Sequence, residues 1–197
     1  MVPDDKYSDI TGVILAGGRS SRMGRDKATL KVDGVPLFRR VLGVLQELFS
    51  RVLIAGDRKD LCEAGIESYA DPYPGSALGG IYTGLFYSKT PYIFVAPCDM
   101  PYPDPSLIRL ITSHRKGFDV VIPKTPAGFE PCFALYGRSC MEPSRHTLER
   151  GLYRINALFS CLRVFYLEVE DLIPQWQRSL KNINTPEDYR LVQEKNE

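Results

Sequence analysis

The residues with the richest chemistry stand near the N-terminus. The stretch Leu15-Ala16-Gly17-Gly18-Arg19-Ser20-Ser21-Arg22-Met23-Gly24-Arg25-Asp26-Lys27 combines glycines, two hydroxyls and four cations. Glycines let backbone N–H groups approach an anion closely, and successive N–H groups can form an anion-binding nest. Arg22 offers a planar fork and Lys27 a point charge, and both suit a polyphosphate. Without a ligand the same stretch reads as a solvated basic turn. Glycines and cations after an apolar run favour phosphate binding. The P-loop pattern G-x-x-x-x-G-K-[ST] does not fit, because Gly18 and Gly24 are one residue too far apart and Arg25-Asp26 precede Lys27. The dinucleotide fingerprint G-x-G-x-x-G is absent.

Two carboxylates follow other apolar runs. Asp71 comes after a strand candidate at Ile66–Ala70, and Asp99 follows Tyr92-Ile93-Phe94-Val95-Ala96 inside Pro97-Cys98-Asp99-Met100-Pro101. A carboxylate beside polyphosphate is repelled unless a cation intervenes, and Mg²⁺ takes one or two carboxylates together with phosphate oxygens and water. Taken alone, Asp71 is a turn residue or helix cap. Asp99, between two prolines and directly after the clearest strand, is the better metal candidate. Asn182 and Asn184 in Lys181-Asn182-Ile183-Asn184-Thr185-Pro186 read either as a short strand with a helix cap or as amides for a polar ligand.

The elements that must position these residues alternate strand and helix. Short apolar runs at Thr11–Leu15, Val52–Ala55, Tyr92–Ala96, Val120–Ile122, Cys132–Tyr136 and Leu162–Leu167 suit strands. Leu37, Val41, Val44, Leu45 and Leu48 form one helical stripe. Ile81, Leu85 and Phe86 suggest a short helix, and Leu107, Ile108, Leu110 and Ile111 another. A last helix starts with Thr185 as cap, Pro186 in its first turn, and Glu187 and Asp188 at its positive end. This order predicts an α/β fold, a three-layer α/β/α arrangement around a mostly parallel sheet. Ligands of such sheets sit outside the carboxyl ends of the strands, where the residues above fall.

The chain has 197 residues and 25 Lys+Arg against 24 Asp+Glu. That length predicts one domain over 1–197, with 1–8 as a frayed N-terminal tail. The near-neutral charge argues against bulk-charge nucleic-acid binding. No apolar run reaches the ~20 residues of a membrane span, and no signal-peptide core is present. Five scattered cysteines without a C-x-x-C pair suggest reduced thiols in the cytoplasm and no zinc cluster. His114 and His146 fall on predicted helices away from the ligand edge. Cys98 reads as packing rather than as a nucleophile, and Trp176 as a packing or lid residue.

The Leu15–Lys27 stretch resembles the signature loop of sugar-nucleotide-type nucleotidyltransferases. Pro97-Cys98-Asp99-Met100-Pro101, Glu130-Pro131-Cys132-Phe133-Ala134-Leu135-Tyr136 and Asn182-Ile183-Asn184-Thr185-Pro186-Glu187 narrow the resemblance to the molybdenum cofactor guanylyltransferase family. It implies a Rossmann-like nucleotidyltransferase fold and Mg²⁺-assisted transfer of GMP from GTP to the phosphate of Mo-molybdopterin. By position it implies main-chain contacts to guanine from Leu15, Ala16 and Gly17, with Gly18 in the nucleotide loop. It implies phosphate binding by Lys27 with Arg22, nucleotide binding by Asp71, metal binding by Asp99, and a pterin side at Asn182 and Asn184. The implied partners are GTP, Mo-molybdopterin and other cofactor-biosynthesis or acceptor proteins, with the chain itself a monomer. Where some members carry an Asn after the second strand, this chain has Ala55, with Asp57 two residues on. Gly75–Gly80 also lacks the family's Gly-Pro-Leu wording. The alternatives are cytidylyl transfer to molybdopterin, nucleotidyl transfer to a sugar phosphate, and a GTP-binding interaction module without turnover.

Overall fold

The computed structural model describes residues 6–17, 26–62, 65–170 and 172–194. In chain order the strands and helices are β1 (Tyr7–Leu15), β2 (Lys31–Val32), β3 (Val35–Pro36), α1 (Leu37–Leu48), β4 (Phe49–Ala55), β5 (Glu67–Tyr69), α2 (Ala77–Tyr87) and β6 (Tyr92–Pro97). They continue with α3 (Pro105–Ser113), β7 (Val120–Thr125), β8 (Gly128–Phe129), β9 (Ala134–Gly137), α4 (Met141–Glu149), β10 (Val164–Glu168), α5 (Trp176–Ser179) and α6 (Pro186–Glu194). The main sheet has the order β10-β7-β9-β6-β1-β4-β5, with β8 paired to β7. Strands β6, β1, β4 and β5 run parallel, while β9 lies antiparallel between β6 and β7. The sheet is therefore mixed and mostly parallel.

The alternation of side chains along the central strands builds a core on each face. From β1 and β6, Ile10, Ile14, Phe94 and Ala96 join Phe38, Leu45, Leu107 and Ile111 of α1 and α3 on one side. Val13, Ile93 and Val95 join Leu78, Ile81 and Leu85 of α2 and Leu148 of α4 on the other. Helix α1 buries Leu37, Phe38, Val41, Leu42, Leu45 and Leu48, six side chains worth about 1.5–3 kcal/mol each before entropy is charged. It ends as Phe49 turns extended and starts β4 without a loop. Helix α3 starts on Asp104, whose carboxylate accepts the Ser106 N–H at 2.7 Å, with Pro105 in the first turn. Among the described residues no helix is long and apolar enough to cross a membrane.

The structure departs from the sequence reading at four places. The expected tail over 1–8 is cut short, because Tyr7 and Ser8 belong to β1 and Tyr7 packs against Phe49. Cys132 and Phe133 lie in a turn closed by Phe133 N–H to the Glu130 carbonyl (3.0 Å), so β9 begins only at Ala134. Lys181–Ile183 is not a strand: Lys181 N–H closes a turn on the Arg178 carbonyl (3.4 Å), and Ile183 N–H to the Asp99 carbonyl (3.0 Å) fastens an irregular segment whose Ile183 is fully buried. The hairpin of β2 and β3, turning on Asp33-Gly34, was not foreseen. The capping of α6 is as expected. The Thr185 hydroxyl accepts the Asp188 N–H at 3.1 Å, and the Asp188 carboxylate accepts the Thr185 N–H at 2.9 Å.

Away from the strand carboxyl ends, Asp119 ties the β7 entry to the β10 entry. Its carboxylate accepts from the Arg163 N–H (2.9 Å), the Arg163 guanidinium (3.2 Å) and the Ser139 hydroxyl (2.7 Å). The bond from the Arg163 side chain leads in holding this carboxyl down at about 2. A carboxyl with a lower pKa folded than unfolded contributes fully above its unfolded value of about 4, and loses that contribution as pH falls through the folded value. Asp119→Asn should therefore lower the melting temperature at pH 7. It should also shrink the fall in stability between about pH 4 and 2. Acid-limb curves identical for the two proteins would rule out this linkage.

Candidate active site

The cleft is built by three parallel strands that end level with one another. Leu15 of β1 pairs with Ala55 of β4 on one side and with Pro97 of β6 on the other. The ladder runs one bond further on each side, with Ala16 N–H donating to Ala55 (3.0 Å) and Cys98 N–H donating to Leu15 (3.2 Å). The segments Ala16-Gly17, Gly56-Asp57-Arg58 and Cys98-Asp99 thus leave the sheet at one height. They border a cleft of ≈ 240 Å³ with Asp71, Ser76, Ala77 and Cys132 around it. Gly56 holds φ at +140°, and a Cβ there would fall 2.8 Å from the Gly17 nitrogen, so only glycine permits this crossing.

Lys27 and Asp99, 72 residues apart, meet in this cleft. The Lys27 ammonium donates to Asp99 Oδ2 at 2.8 Å and to Asn184 Oδ1 at 2.8 Å. The two charged side chains keep only 18% and 14% of their exposure. Asp99 is held from behind, because its carbonyl accepts the buried Ile183 N–H. The C-terminal segment therefore grips both members of the pair.

Asp71 stands on the opposite side. Its Oδ1 accepts the Tyr73 N–H at 2.8 Å and the Thr83 hydroxyl at 3.4 Å. Burial raises its pKa, and those hydrogen bonds partly counter the rise. The carboxylate rests on Gly79 in the first turn of α2, which Ser76 caps by accepting the Gly79 N–H at 3.0 Å. The positive end of α2 opens on the cleft through Ser76 and Ala77, a favourable setting for an anion.

Leu15, Ala16, Gly17, Lys27, Asp71 and Asp99 all line this cleft, as the sequence reading requires. Asn184 reaches it through Lys27. Asn182 does not line it, and its Oδ1 is buried with no hydrogen-bond partner among the described residues. Gly18 and Arg22 lie outside the described residues. Ala55 lines the cleft and offers no polar side chain, while Asp57 is exposed beside it. His114 stacks on Phe165 at 4.9 Å, and Trp176 packs on the α1–α3 side of the core, both away from the cleft. Arg58 and Cys132 were missed. Arg58 directly follows an apolar strand, the location already marked for chemistry, and it stands three residues beyond Ala55.

The cleft thiols are not nucleophiles. Burial leads in pushing Cys98 up to about 12 and Cys132 up to about 11, so both stay protonated at neutral pH. Cys62 and Cys161 are exposed. Iodoacetamide at pH 8 should therefore modify Cys62 and Cys161 well before Cys98 and Cys132, as peptide mass spectrometry would resolve. Equal rates at all four would contradict the burial. A second test concerns the Asp71 seat. A Cβ on Gly79 would collide with the Tyr73 carbonyl oxygen as well as stand 2.5 Å from Asp71 Oδ2, so the cleaner change is at the carboxylate itself. Asp71→Asn should weaken nucleotide binding about tenfold or more, a loss near 1.4 kcal/mol. Unchanged affinity in a titration would show that Asp71 does not serve the nucleotide.

Comparison with known proteins agrees with this geometry. Residues 12–162 match the family described as MobA-like NTP transferase domain. A probable molybdenum cofactor guanylyltransferase of Pelotomaculum thermopropionicum is 35% identical over 182 residues, 90% of this chain and 89% of that protein. A relative of the same description from Chloroflexus aggregans is 34% identical, covering 93% of each. Among solved structures, molybdopterin-guanine dinucleotide biosynthesis protein A from Archaeoglobus fulgidus has a TM-score of 0.81 at 25% identity, covering 94% of this chain and 98% of that one. A 2-C-methyl-D-erythritol 4-phosphate cytidylyltransferase from Thermus thermophilus shares the fold at a TM-score of 0.67 and 14% identity, over 93% and 97% of the two chains. The coverage and the cleft together place this chain in the MobA-like NTP transferase family, among the nucleotidyltransferases related to molybdenum cofactor guanylyltransferases.

Proposed function

We propose that this chain transfers GMP from GTP to the phosphate of Mo-molybdopterin and releases pyrophosphate. The observation that carries this reading is the meeting of Lys27 and Asp99 in a cleft that Leu15, Ala16 and Gly17 also line. The description of the relatives as probable molybdenum cofactor guanylyltransferases supports a guanylyl donor and a molybdenum-cofactor acceptor.

The base would lie against Leu15–Gly17, where the Leu15 carbonyl and the Ala16 N–H are already held by Cys98 and Ala55 and Gly17 is the exposed residue. Asp71 and the first turn of α2 bound the ribose and phosphate side of the cleft. The acceptor phosphate attacks the α-phosphorus of GTP, the bond to the bridging oxygen breaks, and pyrophosphate leaves with that electron pair. The acceptor is already a nucleophile, so the chain aligns the reactants and stabilises charge. Lys27 serves the triphosphate and the departing pyrophosphate, exchanging its contact with Asp99 for phosphate oxygens. Asn184 borders the acceptor side through its contact with Lys27, whereas Asn182, outside the cleft with its Oδ1 buried, is assigned no contact there.

Mg²⁺ is the cofactor this reading calls for, and Asp99 fits it. The carboxylate is a hard oxygen donor lining the cleft, and among the described residues only its Oδ2 takes a hydrogen bond. Among the described residues no group of three His, Cys, Asp or Glu gathers there, and a bound Mg²⁺ would draw its other ligands from phosphate oxygens and water. When bound there, Mg²⁺ supplies charge neutralisation between two anionic reactants.

Asp99→Ala should fold and lose about a thousandfold in turnover, on the order of 4 kcal/mol of transition-state stabilisation. Wild-type turnover would remove its metal role. Offered molybdopterin, molybdate and an equal mixture of the four nucleoside triphosphates, the wild-type chain should yield the guanine dinucleotide as the dominant mass. A cytosine product would transfer the chain to the cytidylyl reaction, and absence of pyrophosphate would favour a binding module.

A further inference from the structure

Among the described residues the Arg58 guanidinium makes four side-chain hydrogen bonds at the cleft, and the proposed transfer leaves it without a role. It leaves β4 in a rigid turn. Its N–H donates to Ser68 Oγ on β5 and to the Gly56 carbonyl, both at 2.9 Å, and the Ser68 hydroxyl donates to that same carbonyl at 2.5 Å. The guanidinium then spans two carboxylates. Its Nη2 donates to Asp26 Oδ2 at 2.5 Å and to Asp60 Oδ2 at 2.8 Å, its Nη1 to Asp26 Oδ1 at 3.3 Å, and its Nε to Asp60 Oδ1 at 2.9 Å. Arg58 keeps 17% side-chain exposure.

Asp26 is the next link. Its Oδ1 also accepts the Ala28 N–H at 3.1 Å and so caps the short 3₁₀ turn Lys27–Thr29. The residue gripped by Arg58 therefore starts the turn that carries Lys27. A continuous path runs from Ser68 through Arg58, Asp26 and Lys27 to Asp99 and Asn184. Two carboxylates already occupy the fork of Arg58, so it does not present an open site to phosphate as a lone arginine would.

We propose that Arg58 is a positioning residue that acts through Asp26 to hold the Lys27 turn over the cleft, and is not itself a phosphate ligand. The proposal deepens the nucleotidyl-transfer reading and uses GTP with Mg²⁺ as its probe.

The test is a double-mutant cycle over Arg58→Gln and Asp26→Asn, read by equilibrium binding of GTP with Mg²⁺ and by KM and kcat. Asn at 26 retains the oxygen that caps Ala28 while losing the charge. Each single change should raise the GTP KM about tenfold with a smaller effect on kcat. The double variant should be no worse than either single, because both cut one link. Arg58→Lys, which keeps charge without the fork, should recover part of the loss and stands in if Arg58→Gln fails to fold. Additive losses, or a GTP KM unmoved by Asp26→Asn, would overturn the proposal in favour of direct phosphate binding by Arg58. If the wild type prefers another nucleotide, the functional reading fails, and the same cycle run with that nucleotide still decides the coupling.

Discussion

The cleft depends on one ion pair between groups far apart in sequence, Lys27 and Asp99. Lys27 and Asp99 lie 72 residues apart, yet their ammonium and carboxylate stand 2.8 Å from each other. Leu15 and Pro97 are register partners on adjacent parallel strands, so Ala16-Gly17 and Cys98-Asp99 leave the sheet together. A one-residue slip of β6 against β1 would turn every side chain of the strand to the opposite face. The two hydrophobic layers forbid that slip, because Phe94 and Val95 belong to different cores. Core packing thus fixes where Asp99 leaves the sheet, and the turn capped by Asp26 brings Lys27 to it.

Holding a cation against a carboxylate in a partly buried place costs desolvation, which good geometry and added hydrogen bonds offset. Here Asn184 supplies a further acceptor to Lys27, and the Ile183 N–H anchors the Asp99 carbonyl. The late segment acts as a buckle over the site: Ile183 is a buried peg, and the capping bonds of α6 fix Asn184 and Thr185. The Arg58–Asp26 link does the same from the other side. The junction has a support on each flank, and in the proposed reaction a polyphosphate and its cation would take over contacts that the pair makes with itself.

Much of this was legible in the sequence. Continuous apolar runs at Val13-Ile14-Leu15 and Ile93-Phe94-Val95 marked buried parallel strands, and the rule that ligands sit beyond strand carboxyl ends led to Gly17, Lys27 and Asp99. Local chemistry that matched a named pattern was also readable, as with Thr185-Pro186-Glu187-Asp188 at the start of α6. Asp33-Gly34 carried a hairpin signal that went unread, since its flanking strands are two residues each. Long-range partners were the part that local pattern could not supply. Nothing near Arg58 announces that its fork closes on Asp26, 32 residues earlier. The alternation of Asn182, Ile183 and Asn184 resembles a strand, yet the segment is set by one backbone bond and one buried side chain, and neither leaves a periodic trace.

The most direct measurement is a crystal structure of this chain with GTP and Mn²⁺, with the manganese placed by its anomalous signal. The predicted result is a manganese peak on the Asp99 carboxylate, with the Lys27 ammonium moved from Asp99 onto phosphate oxygens and the base against Leu15–Gly17. A manganese ion bound elsewhere, with Lys27 still paired to Asp99 beside an ordered nucleotide, would contradict the central role of that pair.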